Sequence, residues 1–163
     1  MNTARISRHL FATRSALRRT FNRQVLEAIE AAIRETETTH GGEIRFAIEN
    51  ELQFGALWRD VTPRQCAIDA FAHLGVWDTE QNNGVLIYVL WADRDVEIVA
   101  DRAFTDRVSD EEWLAVCHRM EALFAAGQAG DAAVAGIRAV GELIARHFPR
   151  VDRNELPDRP VLL

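Results

Sequence analysis

Oxygen-bearing side chains flank two apolar runs in the middle of the chain. Carboxylate and amide oxygens in flexible segments are the ligands that Ca²⁺ and Mg²⁺ prefer, and an arginine beside such a cation can hold a phosphate group. The pattern is therefore consistent with a weak divalent-cation site for Ca²⁺ or Mg²⁺ that lies next to a phosphate-binding arginine. The candidate metal ligands are Asp78, Glu80, Asn82, Asn83 and Asp101, and the candidate phosphate-binding residue is Arg102.

The two apolar runs predict the strands that would bring these side chains together. Residues 85–91 are apolar at every position, which is typical of a central strand covered on both faces. Residues 96–100 predict a second strand, and a turn at residues 92–95 would join the two as an antiparallel hairpin that sets Leu86 opposite Asp101. The polar residues before the first strand and after the second would then meet at one end of the sheet.

A further strand is predicted at residues 43–49, where Ile44, Phe46 and Ile48 alternate with polar or small residues. A helix lies between this strand and residues 85–91. A right-handed crossover would make the two strands parallel and bring Glu43 to the same end of the sheet.

Ordinary turn chemistry also explains the same polar residues and is favoured when they are taken alone, because Asp and Asn commonly cap turns. Both interpretations, a ligand site and solvated turns, therefore remain open. At the opposite end of the hairpin, the turn Asp93-Arg94-Asp95 predicts an exposed ion pair of little energetic worth. His40, which precedes two glycines, is interpreted as a helix-end residue and not as a ligand.

Helical patterns surround these strands. Residues 14–39 carry one apolar stripe, and residues 131–148 carry another. Thr62 and Ser109 each begin a capping box, with Gln65 and Glu112 three positions later. The order helix, strand, helix, strand, strand, helix, helix predicts a three-layer α/β/α sandwich. Its small mixed β-sheet would combine a parallel crossover with a β-hairpin and be flanked by helices.

The length of 163 residues suits about one domain. We expect a basic N-terminal segment at residues 1–16, an α/β domain at residues 17–149 and a loosely ordered tail at residues 150–163. A net charge of −6 argues against a nucleic-acid binder, and the absence of lysine excludes Schiff-base catalysis and a phosphate-loop lysine. Without a secretory leader or an apolar stretch of ~20 residues, we expect a cytoplasmic protein, peripheral contact with a membrane being the alternative.

Cationic side chains dominate the first 23 residues, which contain six arginines and no acidic residue. Apolar residues recur among them at roughly helical spacing, so this segment could form a basic amphipathic helix that lies on an anionic membrane or on an acidic partner. The alternative is that it is the first part of a helix packed on the domain. The candidate surface residues are Arg5, Arg8, Arg14, Arg18 and Arg19.

Several motifs together resemble the TPM domain family over residues 17–148. They are His40-Gly41-Gly42-Glu43-Ile44, Asn82-Asn83-Gly84-Val85-Leu86-Ile87, Ala92-Asp93-Arg94-Asp95-Val96-Glu97-Ile98 and Ala100-Asp101-Arg102. The resemblance implies an α/β/α sandwich, and family members include acid phosphatases and calcium binders. Asn82 replaces the family's usual aspartate, and a glycine-free Asp101-Arg102-Ala103-Phe104 replaces its glycine-rich segment. Without a signal peptide or membrane segment, the chain resembles a soluble, bacterial cytoplasmic branch.

Three functions fit these observations. The favoured one is a non-catalytic binding or assembly module for a protein partner, with a weak divalent-cation site at one sheet edge. One alternative is a metal-assisted phosphomonoester hydrolase that uses Asp78 and Asp101 as metal ligands and Arg102 on the phosphate. The other is a membrane-peripheral interaction protein that works through residues 1–23. The sequence contains no nucleophilic or metalloprotease motif, which favours the binding module.

Overall fold

A computed structural model describes residues 3–149 and 153–163. Seven helices and four strands follow one another in these residues. Their bounds are α1 Thr3–Phe11, α2 Arg14–Thr20, α3 Arg23–Glu37, β1 Glu43–Glu49, α4 Phe54–Trp58, α5 Pro63–His73, β2 Gly84–Leu90, β3 Asp95–Ala100, α6 Asp110–Ala125, α7 Ala129–His147 and β4 Val161–Leu162, with a 3₁₀ turn at Arg102–Phe104 between β3 and α6.

The four strands form one mixed sheet in the order β3-β2-β1-β4. β1 is parallel to β2, with Glu43 beside Gly84, and β2 is antiparallel to β3, so the parallel crossover and the hairpin are confirmed. The hairpin turn begins one residue earlier than predicted. Leu86 therefore faces Val99, two residues from the predicted Asp101. A two-residue shift leaves every side chain on its predicted face of the sheet.

Apolar cores lie on both faces of this sheet, which makes the fold the three-layer α/β/α sandwich that the sequence predicts. On one face, α3, α6 and α7 pack against β-strand side chains such as Phe46 and Ile87. On the other face, α4 and α5 cover Leu86 and Tyr88. β2 is buried at all seven positions because it is central and covered on both faces, in agreement with its uninterrupted apolar sequence.

Capping chemistry sets several helix boundaries. Thr62 and Ser109 both form the predicted capping boxes, in which the side chains of the cap and of the third helical residue each accept a hydrogen bond from the other residue's backbone N–H. The stretch from residue 14 to residue 39 forms two helices and not one. Asn22 caps the second of them by accepting a hydrogen bond from the Val25 N–H. α1 lies in the N-terminal segment whose helical spacing suggested a helix, whereas α4 was not predicted.

The C-terminal segment is packed against the sheet, so the expectation of a loosely ordered tail is wrong for residues 153–163. β4 pairs in parallel with β1, and Leu156 is buried. The guanidinium group of Arg45 donates to the backbone carbonyls of Pro157 and Arg159. The expectation for residues 150–152 falls outside the described residues.

Side chains also cover the outer edge of β3. The Arg64 guanidinium donates to the Ile98 carbonyl at 2.5 Å, and the Val96 N–H donates to the Glu121 carboxylate at 3.2 Å. These contacts occupy backbone groups that an edge strand would otherwise present to solvent. No helix among the described residues is long and apolar enough to cross a lipid bilayer.

Candidate functional site

Three of the five predicted cation-binding residues meet where β1 and β2 begin. The Asp101 N–H donates to the Gly84 carbonyl at 2.9 Å, and the Ala103 N–H donates to the Asn82 carbonyl at 3.1 Å. The Glu43 N–H donates to the Asn83 carbonyl at 3.2 Å. The hairpin therefore brings Asn82, Asn83 and Asp101 to one sheet edge, as its geometry predicts.

Internal hydrogen bonds occupy most of the polar atoms at this edge. Asn82 Oδ1 accepts a 2.5 Å hydrogen bond from the Arg102 guanidinium, and Asp101 Oδ1 accepts one of 2.7 Å from the Arg102 N–H. The Asn83 amide donates to the Gly41 carbonyl. Arg102, predicted to hold phosphate, therefore has a partner within the protein.

The remaining predicted ligands also lie apart from any cation cage. They are Asp78 and Glu80, which are exposed. Glu43, which was expected at the same end of the sheet, is buried, and its carboxylate accepts a 2.9 Å hydrogen bond from the Leu156 N–H. Burial raises the pKa of the Glu43 carboxyl above its ordinary value. Within residues 3–149 and 153–163, no group of three or more His, Cys, Asp or Glu side chains could hold a metal ion.

Three buried side-chain atoms near this edge have no hydrogen-bond partner within the described protein. They are His40 Nε2, Asn83 Oδ1 and Asp101 Oδ2. Burial lowers the pKa of His40 to about 4, so the imidazole is neutral at pH 7, and its Nδ1 accepts from the Gly42 N–H at 3.2 Å. Asn83 Oδ1 and Asp101 Oδ2 are the acceptor atoms left for a ligand here.

A second cluster of charged residues lies at the opposite end of the sheet, around Asp93. This carboxylate accepts hydrogen bonds from Arg5 Nε at 2.8 Å and from the Arg8 guanidinium at 2.9 Å, and His9 Nε2 lies 3.1 Å from it. We call these four residues the Asp93 clamp. The Asp93 side chain is only 7% exposed. The prediction of an exposed ion pair in this turn is therefore wrong, because α1 covers it.

Electrostatics in the Asp93 clamp favour the charged carboxylate. Burial alone would raise the pKa of Asp93, but hydrogen bonds from Arg5, His9 and Arg8 outweigh burial and hold that pKa below its ordinary value. Further contacts fix α1 in place. The Leu52 N–H donates to His9 Nδ1 at 2.9 Å, and Arg5 also donates to the Val61 carbonyl at 2.9 Å.

Comparisons with known proteins identify the family. The TPM domain model matches residues 17–143. The chain belongs to the TPM domain family. The BA42 protein of the psychrophilic bacterium Bizionia argentinensis has a similar structure, with 32% identity and a TM-score of 0.72 over 86% of this chain and 93% of BA42. None of the curated protein sequences matches this TPM domain.

Two more distant structures share the fold. An N-terminal domain from P. gingivalis is 17% identical, with a TM-score of 0.64 over 82% of each chain. The N-terminal domain of the cg2496 protein of Corynebacterium glutamicum is 16% identical, with a TM-score of 0.54 over 76% of this chain and 73% of that domain. At these identities the likeness concerns the fold alone.

Large apolar side chains of this TPM domain stand exposed beside the Asp93 clamp, on α1 and α4. Their exposed fractions are 70% for Leu10, 82% for Phe11, 60% for Phe54 and 64% for Trp58. We call these four residues the apolar patch. Leu10 and Phe54 line one pocket of about 400 Å³, and the rings of Phe54 and Trp58 lie 6.0 Å apart.

Local structure explains why the apolar patch faces outward. Phe54 and Trp58 are four residues apart and so share one side of α4, while Leu57 points into the core. On α1, Ile6 packs on the core and His9 is buried, so Leu10 and Phe11 extend away from the sheet. Clustered exposure of this kind is characteristic of interaction surfaces, whereas single exposed apolar residues are common.

The five arginines predicted to form a surface divide into two groups. Arg5 is 13% exposed and belongs to the Asp93 clamp, so its assignment to a free surface is wrong. Arg8 contributes to the clamp but remains half exposed. Arg14, Arg18 and Arg19 are exposed on α2, and Arg14 lines the same pocket as Leu10.

Sequence reasoning missed the apolar patch because its two halves are more than 40 residues apart and α4 has only five residues. One signal was available in the sequence. Phe54 and Trp58 are spaced as helix neighbours in a segment with no strand pattern, and a search for short helical pairs would have found them.

Proposed function

We propose that this TPM domain is a non-catalytic binding module that docks onto a macromolecular partner through the apolar patch. The supporting observation is the exposure of Leu10, Phe11, Phe54 and Trp58 on adjacent elements. When a partner covers such side chains, each Å² of apolar area removed from water contributes roughly 25 cal/mol to the free energy of binding. The Asp93 clamp holds α1 on the domain, so little ordering is required when the partner binds.

A metal-assisted hydrolase requires metal ligands and a phosphate-binding arginine that are free to bind substrate. Here Asn82 and Arg102 bind each other, and Asp101 accepts from the Arg102 backbone. This argues against the phosphatase alternative. The two unpartnered oxygens, Asn83 Oδ1 and Asp101 Oδ2, support only a subsidiary proposal, a weak Ca²⁺ or Mg²⁺ site at this edge.

Photocrosslinking tests the binding function directly. A photoreactive amino acid replaces Trp58 in the full chain and, as the matched control, the exposed Trp77, which follows α5. Both variants are irradiated in cells of the source organism. We expect macromolecular adducts, of protein or of lipid, at position 58 in clear excess over position 77. Equal adduct formation at both positions would contradict the proposal.

Phosphomonoester hydrolysis tests the alternative. The chelator-treated protein and the variant Asp101→Asn are assayed with a chromogenic phosphomonoester in the presence of Ca²⁺ and of Mg²⁺, and metal binding is followed by calorimetry. We expect no metal-dependent turnover from either protein. Turnover that Asp101→Asn abolishes would establish a hydrolase. Cytoplasmic location also stays a prediction, which cell fractionation would test.

A further inference from the structure

We infer that the partner of the apolar patch is an anionic lipid surface, an inference that rests on the binding function proposed above. Three features of the chain support it together. They are the charge around the apolar patch, the exposure of its side chains and the way in which α1 is held.

The charge around the apolar patch is predominantly positive. Residues 1–23, a stretch that includes α1 and α2, contain six arginines and no acidic residue. Arg14, Arg18 and Arg19 are exposed, and Arg59 adds a further cation directly after Trp58. The acidic groups around it are Glu49 and Glu51, which line the shared pocket, Asp69, which lines a pocket with Arg59, and Asp60, which lies 3.7 Å from Arg5. Of these carboxylates only Asp60 and Asp69 are exposed, whereas Arg8, Arg14, Arg18, Arg19 and Arg59 all are. An excess of exposed cations complements a negatively charged membrane surface.

The apolar side chains are highly exposed around a pocket and so do not form a flat face. Exposed fractions between 60% and 82% mean that these side chains contact the rest of the protein over only a small part of their surface. A protein partner would have to complement both these side chains and the pocket between Leu10 and Phe54, whereas the deformable interface of a bilayer adapts to them. Tryptophan and phenylalanine between cationic residues are typical of helices that lie at the membrane interface.

The Asp93 clamp makes the arrangement rigid without consuming the surface cations. It anchors α1 through Arg5, Arg8 and His9, whereas Arg14, Arg18 and Arg19 lie on α2, outside the clamp. Because α1 is already folded and fixed, docking costs little conformational entropy. Arg14 of α2 lines the pocket that Leu10 and Phe54 share, whereas the lining of that pocket includes no residue of α6 or α7, so arginines on those two helices provide the controls.

Vesicle cosedimentation of the full chain tests the inference. The protein is mixed with vesicles of phosphatidylcholine alone and with vesicles that also contain about 30% phosphatidylserine, at about 0.1 M and about 0.5 M salt. We expect binding to the anionic vesicles at low salt, weaker binding at high salt, and little binding to neutral vesicles. The fluorescence of Trp58 should shift to shorter wavelength on binding.

Two pairs of variants separate the contributions of charge and apolar contact. The triple variant Arg14→Gln, Arg18→Gln, Arg19→Gln should bind about 100-fold more weakly, since each arginine near an anionic surface contributes about fivefold. Trp58→Ser should bind about tenfold more weakly. The matched controls should bind as the wild type does. They are the triple variant Arg119→Gln, Arg138→Gln, Arg146→Gln on α6 and α7, and Trp77→Ser, whose tryptophan is 54% exposed.

The outcomes distinguish the lipid inference from the binding function. Failure of the wild type to bind anionic vesicles, together with protein adducts at position 58, would refute the lipid inference and leave the binding function standing with a protein partner. Failure to bind vesicles and equal adducts at positions 58 and 77 would refute both. Equal loss of vesicle binding in the α2 triple variant and in its control would also refute the lipid inference, because binding would then depend on the net charge of the protein and not on the position of the arginines.

Discussion

Replacing Asp93 with alanine should destabilise the protein far more than substitutions in turns usually do. The change leaves the Arg5 and Arg8 guanidinium groups and His9 without their shared acceptor. Removing one partner of a buried ion pair costs about 3–5 kcal/mol. Arg8 stays hydrated and Arg5 keeps the Val61 carbonyl, so we expect the lower end of that range, about 3 kcal/mol. For a chain of this size the melting temperature should fall by roughly 9 °C.

Asp60→Asn is the matched control for this experiment. Asp60 also lies near Arg5, at 3.7 Å, but its side chain is 71% exposed, so its loss should change the unfolding free energy by less than about 0.5 kcal/mol. Urea unfolding measures both variants, and hydrogen exchange should show faster opening of α1 in Asp93→Ala. Equal stability of the two variants would refute the reasoning that burial gives the Asp93 clamp its strength.

Acid should weaken the same clamp in the wild-type protein. The folded-state pKa of Asp93 lies below its ordinary value of 3.8, so its contribution to stability is present above that value and is lost as the pH falls through the lower, folded-state pKa. In Asp93→Ala this part of the acid sensitivity should be missing. Melting curves between about pH 2 and pH 5 would measure it.

Two other perturbations test packing and proton linkage. Gly84→Ala would place its Cβ 2.0 Å from the Val76 carbonyl oxygen, so the variant should lose about 3 kcal/mol of unfolding free energy in urea. In Gly55→Ala, the control in α4, the new Cβ meets nothing within 4 Å, and the variant should gain about 0.5 kcal/mol. Equal effects of the two substitutions would contradict the packing argument. Burial, followed by repulsion from Glu43 and Asp158, raises the pKa of Glu37 from 4.5 to about 8, so stability should fall as the pH rises between those values. In Glu37→Gln the stability measured by melting should depend less on pH over this range, and at pH 8 the variant should be more stable than the wild type by on the order of 1 kcal/mol. An unchanged dependence of stability on pH would show that Glu37 is ionised in the folded state.

Local signals account for the parts of the fold that could be predicted from the sequence. The capping boxes at Thr62 and Ser109 and the uninterrupted apolar run of β2 each depend on neighbours within a few residues. Hairpin geometry then placed Asn83 and Asp101 at one sheet edge. The turn position could not be fixed to one residue, because Trp91 suits either a strand or a turn.

Long-range contacts account for most of what could not be predicted. β4 has only two residues, and the neighbouring prolines suggest an irregular tail, yet Val161 pairs with Ala47 across more than 110 residues. In the Asp93 clamp, Asp93 contacts side chains that are 84 to 88 positions earlier in the chain, so no short window of the sequence contains the whole clamp. Asn82, a candidate ligand, likewise makes a structural hydrogen bond with Arg102. That contact depends on the orientation of the two side chains, which residue types alone do not predict.

The occupied edge of β3 bears on how the protein behaves at high concentration. Arg64 and Glu121 already hold the backbone groups of Ile98 and Val96, so a strand from another molecule would have to displace both side chains to pair there. On the opposite side the sheet ends in a strand of only two residues. Both margins therefore disfavour the edge-to-edge pairing by which sheets of separate molecules join. A designer who wished to polymerise this scaffold would begin by removing Arg64 and Glu121.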